Sequence, residues 1–125
     1  MSQNTDRGRR GEGYAAGLLR RKGYRILATN YASRYGEVDV IACDSAYILF
    51  VEVKTRRQGS MINGMQAVTP SKMRKIIATA MLYLQEHPWD ALQPRFDIVS
   101  IETDRQGNVL GHDHLMGAFD SEACK

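Results

Sequence analysis

Long apolar runs are missing from this chain. No stretch approaches the run of about 18 apolar residues that a membrane-crossing helix needs. The opening Met1-Ser2-Gln3-Asn4-Thr5-Asp6-Arg7 has no apolar stretch behind it. A membrane partner and a secretory leader are therefore not expected, and a cytoplasmic location is. Cysteine is scarce: Cys43 lies in an apolar run and Cys124 in a polar tail, with no CxxC and no His/Cys cluster. That excludes a disulfide framework, argues against structural zinc and suits a reducing compartment. The three histidines are His87, His112 and His114. A His-x-His pair can hold a metal, but surface exposure is the plainer reading. No repeat, low-complexity tract or linker divides the 125 residues. Hydrophobic residues make up 43% and charged residues 25%, which is a globular composition. One domain spanning 1–125 is expected, with frayed tails at about 1–7 and 116–125.

Charge is present but unevenly spread. Residues 1–94 hold 14 Lys+Arg and 8 Asp+Glu, hence +6, while residues 95–125 hold 3 and 6, hence −3. The basic part carries Arg7, Arg9 and Arg10, then Arg20, Arg21 and Lys22, then Arg56 and Arg57, then Lys72, Arg74 and Lys75. Such clusters favour a polyanion through phosphate contacts. A merely solvated basic surface is the alternative.

The residue pattern predicts an α/β fold: a mixed sheet flanked by helices, in the order α-β-β-β-α-β with room for one more edge strand. The first helix is expected over Arg9–Lys22, ended by Gly23. Glu12, Ala15, Ala16 and Leu19 fall on one of its stripes, so the Glu12 carboxylate shares the face that packs on the sheet. Gly13, Ala16 and Gly17 would permit close approach. Strands are expected at Arg25–Ala32, Glu37–Ala42 and Tyr47–Lys54, the last two apolar on both faces near their centres. A Gly/Ser/Asn-containing loop over 56–69 leads to Thr69-Pro70, a capping hydroxyl followed by proline at the first helical position. Met73, Ile76, Ile77, Ala80, Met81 and Leu84 form the apolar stripe of that helix, with Lys72, Lys75 and Thr79 on another face. His87-Pro88 ends it. Arg95–Ile101 is a further strand and Val109–Leu115 a short edge strand.

Asp39, Glu52 and Lys54 stand out because they interrupt apolar strands. Alternation sends Glu52 and Lys54 to one face with Ile48 and Phe50, and Leu49, Val51 and Val53 to the other. Charged groups among buried aliphatic side chains are costly unless paired or metal-bound. In a hairpin with an even loop, residues whose numbers sum to 91 pair, which sets Asp39 opposite Glu52. Directly opposed Cβ atoms lie about 4.5–5.5 Å apart. Two carboxylates so close repel, and a hard divalent ion, Mg²⁺ or Mn²⁺, removes the conflict. An ion pair of Lys54 with Glu52 or Asp39, without chemistry, is the competing reading.

Gly36-Glu-Val-Asp-Val-Ile-Ala42 followed by Phe50-Val-Glu-Val-Lys-Thr-Arg56 resembles the bacterial YraN-type family of predicted endonucleases. That family is similar to archaeal Holliday junction resolvases, within the PD-(D/E)XK nuclease superfamily. The resemblance runs from Gly8-Arg-Arg-Gly-Glu12 through Arg95-Phe-Asp97 to the strand after it. Val38 stands where the superfamily's name has proline. The resemblance implies a restriction-endonuclease-like sheet. It implies Asp39 and Glu52 as metal ligands with the Val53 carbonyl as a third, Lys54 orienting or deprotonating the attacking water, and Glu12 binding or positioning metal from the helix. It also implies cleavage of DNA, branched or damaged structures included, and by analogy with the resolvases a homodimer. The chemistry is consistent: an in-line water, a Lewis acid and charge neutralisation can all come from metal plus lysine.

Further candidates carry less. Glu37 shares a face with Asp39 and is read as either an outer site residue or an exposed, turn-stabilising acid. Lys72 and Lys75, near a helix N-terminus that favours anions, are candidates for phosphate contacts, against solvated lysines. Arg56 and Arg57 just past Lys54 are candidates for touching nucleic acid. Asp97 reads better as a structural pairing residue, and Gln66 as a weak candidate for a polar site residue. Three functions compete: a Mg²⁺/Mn²⁺-dependent endonuclease, a non-catalytic nucleic-acid-binding module that retains the nuclease fold, and a protein-assembly factor whose basic face is incidental.

Overall fold

The computed structural model describes residues 3–59, 68–88 and 91–120, with side chains from residue 11 onward. The order is α1 (Gln3–Arg21), β1 (Arg25–Ser33), β2 (Gly36–Cys43), β3 (Tyr47–Arg57), α2 (Pro70–Glu86), β4 (Gln93–Thr103) and β5 (Val109–Phe119). The five strands form one sheet in the order β1-β2-β3-β4-β5. All neighbours are antiparallel except β3 and β4, which are parallel. Parallel neighbours need a crossover, and the segment that contains α2 supplies it.

β3 is central and buried on both faces, as its unbroken apolar run requires. Ile48 and Phe50 join Val38, Ile41, Ile76, Ala80, Tyr83, Phe96 and Ile98 in the core under α2. Leu49 and Val51 join Ala15, Leu18, Leu19, Val40, Ala42, Val99 and Ile101 in the core under α1. Fully burying each such large side chain contributes about 1.5–3 kcal/mol. The bilayered core is therefore what holds the strand ends, and the charged groups on them, in fixed positions.

Helix ends follow their local chemistry. Gly23, at φ 97, lets Tyr24 N–H reach the Leu19 carbonyl at 3.0 Å and close α1. Thr69 caps α2 by accepting the Lys72 N–H at 3.1 Å. α1 begins at Gln3, six residues before the expected Arg9, and β5 is a full-length strand that takes in 116–119. Phe119 is buried there against Phe96, which is why the strand continues past Leu115. Met81, expected in the α2 core stripe, is 56% exposed, and Tyr83 is buried instead. Thr79, expected off that stripe, is also buried, with its hydroxyl 2.8 Å from Ser33 Oγ. Cys43 is a free, buried thiol; Cys124 and Gln66 lie outside the described residues.

Asp97 locks β4 to β5. It is fully buried, takes two 2.9 Å hydrogen bonds from Arg95, one of 3.0 Å from Gly117 N–H, and lies 2.8 Å from His114 Nε2. Burial alone would raise its pKa, but the hydrogen bonds from His114, Arg95 and Gly117 outweigh it and hold the carboxyl below its ordinary range. The ammonium of Lys22, a donor only, lies 2.8 Å from His114 Nδ1, so Nε2 carries the ring proton and donates to Asp97. The expectation of surface histidines thus fails for His114, whose side chain is 2% exposed. His112 is exposed and bonds Tyr14 at 2.8 Å. Among the described residues no helix is long and apolar enough to cross a membrane.

α1 reaches the sheet through Gly11. A Cβ there would lie 2.6 Å from Thr55 Oγ1, with Val53 and Ile101 also within 4 Å. Gly13 and Gly17, expected to serve this role, have no sheet atom that close. The contact sets the height of Glu12, the next residue. Gly11→Val should therefore lower stability by about 1–3 kcal/mol through overpacking, read by denaturant unfolding, and Thr55→Ala in the same chain should recover part of the loss. An unchanged midpoint for Gly11→Val would contradict this placement of the helix.

Candidate metal centre

The hairpin of β2 and β3 has the register expected from an even loop. Cys43↔Ile48, Ala42↔Leu49, Ile41↔Phe50 and Val40↔Val51 pair, and the ladder stops there. Asp39 and Glu52 are the next two residues on facing strands. Asp39 Oδ2 accepts the Val53 N–H at 2.8 Å, so a carboxylate bridges to β3 where the paired backbone ends. That bond fixes the side chain next to Glu52.

Glu52 is buried, at 3% exposure. Its Oε1 lies 3.2 Å from Lys54 Nζ and 3.5 Å from Lys72 Nζ. Its Oε2 is buried and has no hydrogen-bond partner among the described residues. A buried carboxylate oxygen without a partner is expensive, and a cation would satisfy it.

Helix α1 brings Glu12 to the same place. Carboxylate oxygens of Glu12, Glu37 and Asp39 lie within 4.8 Å of one another. Glu12 and Asp39 are half-buried and Glu37 is exposed at the rim. Glu37, weighed in the sequence between an outer role and a turn acid, is thus a member of the cluster. The donor set is all oxygen, which suits Mg²⁺ or Mn²⁺ and not a soft metal. Asp39 shows the strain of this arrangement: its pKa is pushed up to about 7, first by burial and then by the Glu52 charge, with Glu12 and Glu37 adding and the Val53 N–H opposing.

The remaining expected residues separate. Lys54 is at the site, held to Glu52. Val53 acts there through its N–H. Lys72 reaches the site from the first turn of α2 and contacts Glu52, where the sequence suggested phosphate. Nothing in the local sequence marks that contact, because it depends on how α2 crosses the sheet. Arg56 pairs with Glu102 at 3.5 Å on the β4 side and is half-buried. Arg57 and Lys75 are exposed, and Lys75 packs its stem against Gly36.

Deprotonating Asp39 costs the folded, metal-free protein more than the unfolded chain, where an aspartate titrates near its ordinary value of about 3.9. The folded state therefore binds the proton more tightly. The associated stability is present below about pH 4 and is lost as pH rises toward about 7. Asp39→Asn should flatten this part of the melting temperature-against-pH curve, and the variant should be the more stable at pH 8 without divalent ions. Parallel curves for the two proteins would rule out the strained carboxylate.

Comparison with known proteins finds relatives along most of the chain. The model of the family described as "Uncharacterised protein family UPF0102" matches residues 11–101, from the close-approach glycine to the end of the buried part of β4. A UPF0102 protein of Syntrophotalea carbinolica is 43% identical over 118 residues, 94% of each chain. One of Syntrophus aciditrophicus is 42% identical, covering 86% of this chain and 84% of its own. One of Persephonella marina is 40% identical, covering 91% and 93%.

Proposed function

The chain belongs to the UPF0102 family, and from its site we propose that it is a divalent-cation-dependent nuclease that hydrolyses phosphodiester bonds in DNA, branched or damaged structures included. The observation that carries the reading is the convergence of the Glu12, Glu37 and Asp39 carboxylates at the strand end that also carries buried Glu52, whose Oε2 has no hydrogen-bond partner among the described residues and whose Oε1 meets a lysine ammonium. Buried like charges are retained at a cost, and that cost is recovered where a cation and an anionic substrate complete the site.

In this reading Asp39 and Glu52 hold Mg²⁺ or Mn²⁺, Glu12 assists from α1, and the Val53 carbonyl is a further oxygen within reach of the same ion. When bound, the ion supplies Lewis-acid polarisation of the phosphoryl oxygen and eases deprotonation of water. Lys54 sits against Glu52, and in this reading its ammonium orients the attacking water and neutralises charge on the phosphate. On the same reading Arg57, exposed at the end of β3, and Lys75, exposed in the second turn of α2, meet the phosphate backbone, and Arg56 and Lys72 reach it by leaving their acidic partners. Symmetric cutting of a four-way junction would further require a two-fold dimer.

One observation favours a second reading. Lys54 and Lys72 both contact Glu52, as in a structural ion-pair cluster of a binding module that cuts nothing.

Incubation of the protein with linear, nicked, flap and four-way DNA, and with RNA, in Mg²⁺ or Mn²⁺ separates the two. Chelator-sensitive cleavage is expected, falling by about 10²–10³-fold in Asp39→Asn and Glu52→Gln, the range for removing one group that stabilises developing charge. Undiminished cleavage by both variants would defeat the proposed site. Salt-sensitive binding without turnover on any substrate would establish the binding module.

A further inference from the structure

Glu37 and Asp39 are two residues apart on β2, so alternation sends both side chains to one face. This end of β2 remains paired with β1, through Ala32↔Glu37 and Ser33↔Gly36, while its ladder with β3 has already stopped. Glu37 is therefore held by regular strand structure beside Asp39, with its side chain open to solvent. Neighbouring oxygens around an octahedral Mg²⁺ lie about 3 Å apart and opposite ones about 4.2 Å apart, from bond lengths of 2.0–2.1 Å. The oxygens of Glu12, Glu37 and Asp39, within 4.8 Å of one another, are close to that spacing.

A second observation points to a cation at the same place. Glu52, 3% exposed, leaves Oε2 without a partner. Glu52 lies on β3 where its ladder with β2 stops, next to Asp39 on the facing strand, so the cluster borders a buried acceptor that no donor fills among the described residues.

We infer that Glu37 is a direct ligand of the divalent ion, forming with Glu12 and Asp39 the solvent side of the coordination sphere while Glu52 faces the ion from within. The inference rests on the nuclease reading and adds a ligand to it. Two consequences support the assignment. Four carboxylate oxygens and the Val53 carbonyl would leave one octahedral position, for water or a phosphate oxygen. The four carboxylates are also offset by the ammonium groups of Lys54 and Lys72 and by one divalent ion, which brings the group to formal neutrality before substrate arrives.

Because Glu37 is exposed, Glu37→Ala should fold normally. Titration calorimetry with Mn²⁺ and luminescence lifetimes of bound Tb³⁺ in H₂O and D₂O test the ligand role directly. The expected result is more than tenfold weaker Mn²⁺ binding and at least one added inner-sphere water on Tb³⁺. An unchanged water count overturns the inference even if affinity falls, because a remote charge effect leaves the inner sphere intact. If Glu37→Ala binds like the parent while Asp39→Asn does not bind, Glu37 is no ligand and the nuclease reading stands. If the parent protein binds no Mn²⁺, both fail together.

Discussion

Mutual repulsion among carboxylates that the fold will not let apart is the constraint on which this structure turns. Asp39 is tied to the Val53 N–H, Glu52 is sealed between strand and helix, and Glu12 is carried in by α1. Asp39 moves only by giving up its bond to the Val53 N–H, and Glu52 only by leaving its buried position. Two lysines relieve part of the charge by contacting one oxygen of Glu52, and the other oxygen stays without a donor. The residual negative potential has two outlets. One is protonation, visible in the displaced titration of Asp39, and the other is a cation. A divalent ion bound there would relieve several carboxylates at once.

The rest of the fold serves that cluster by making its supports rigid. The parallel pairing of β3 with β4 covers all of Tyr47–Arg57 and keeps Glu52 and Lys54 on a strand that cannot slip. The buried Asp97 with Arg95 and His114 anchors β5 on β4, and Lys22 ties that anchor back to the end of α1. The helix that delivers Glu12 is thereby pinned at its middle, by Gly11 against Thr55, and just past its C-terminal end, by Lys22 against His114. Structural ion pairs thus hold the elements that carry the carboxylate cluster.

Much of this was legible in the residues. The strand alternation of β3, the even hairpin loop and the Thr69-Pro70 cap are local rules, and each element obeys them. The facing of Asp39 and Glu52 followed from loop length alone, and Glu12 from helical spacing. Other features were not legible because they depend on tertiary approach. The role of Lys72 is set by where α2 lies over β3, and that of His114 by a partner, Asp97, seventeen residues away. Periodicity misassigned Met81, since only part of its stripe meets the sheet. Close approach was attributed to Gly13 and Gly17, whereas the glycine in contact lies just before the helix stripe begins. Glu37 was ambiguous because alternation gives a face, not a distance.

The central claim is that these carboxylates share one cation. Anomalous diffraction from crystals equilibrated with millimolar Mn²⁺ addresses it without reference to activity. The account predicts a single strong peak bonded at about 2.0–2.6 Å to Asp39 and to at least one oxygen of Glu12, Glu37 or Glu52. A map with no peak among these side chains, and with the carboxylates directed to separate partners, would contradict it.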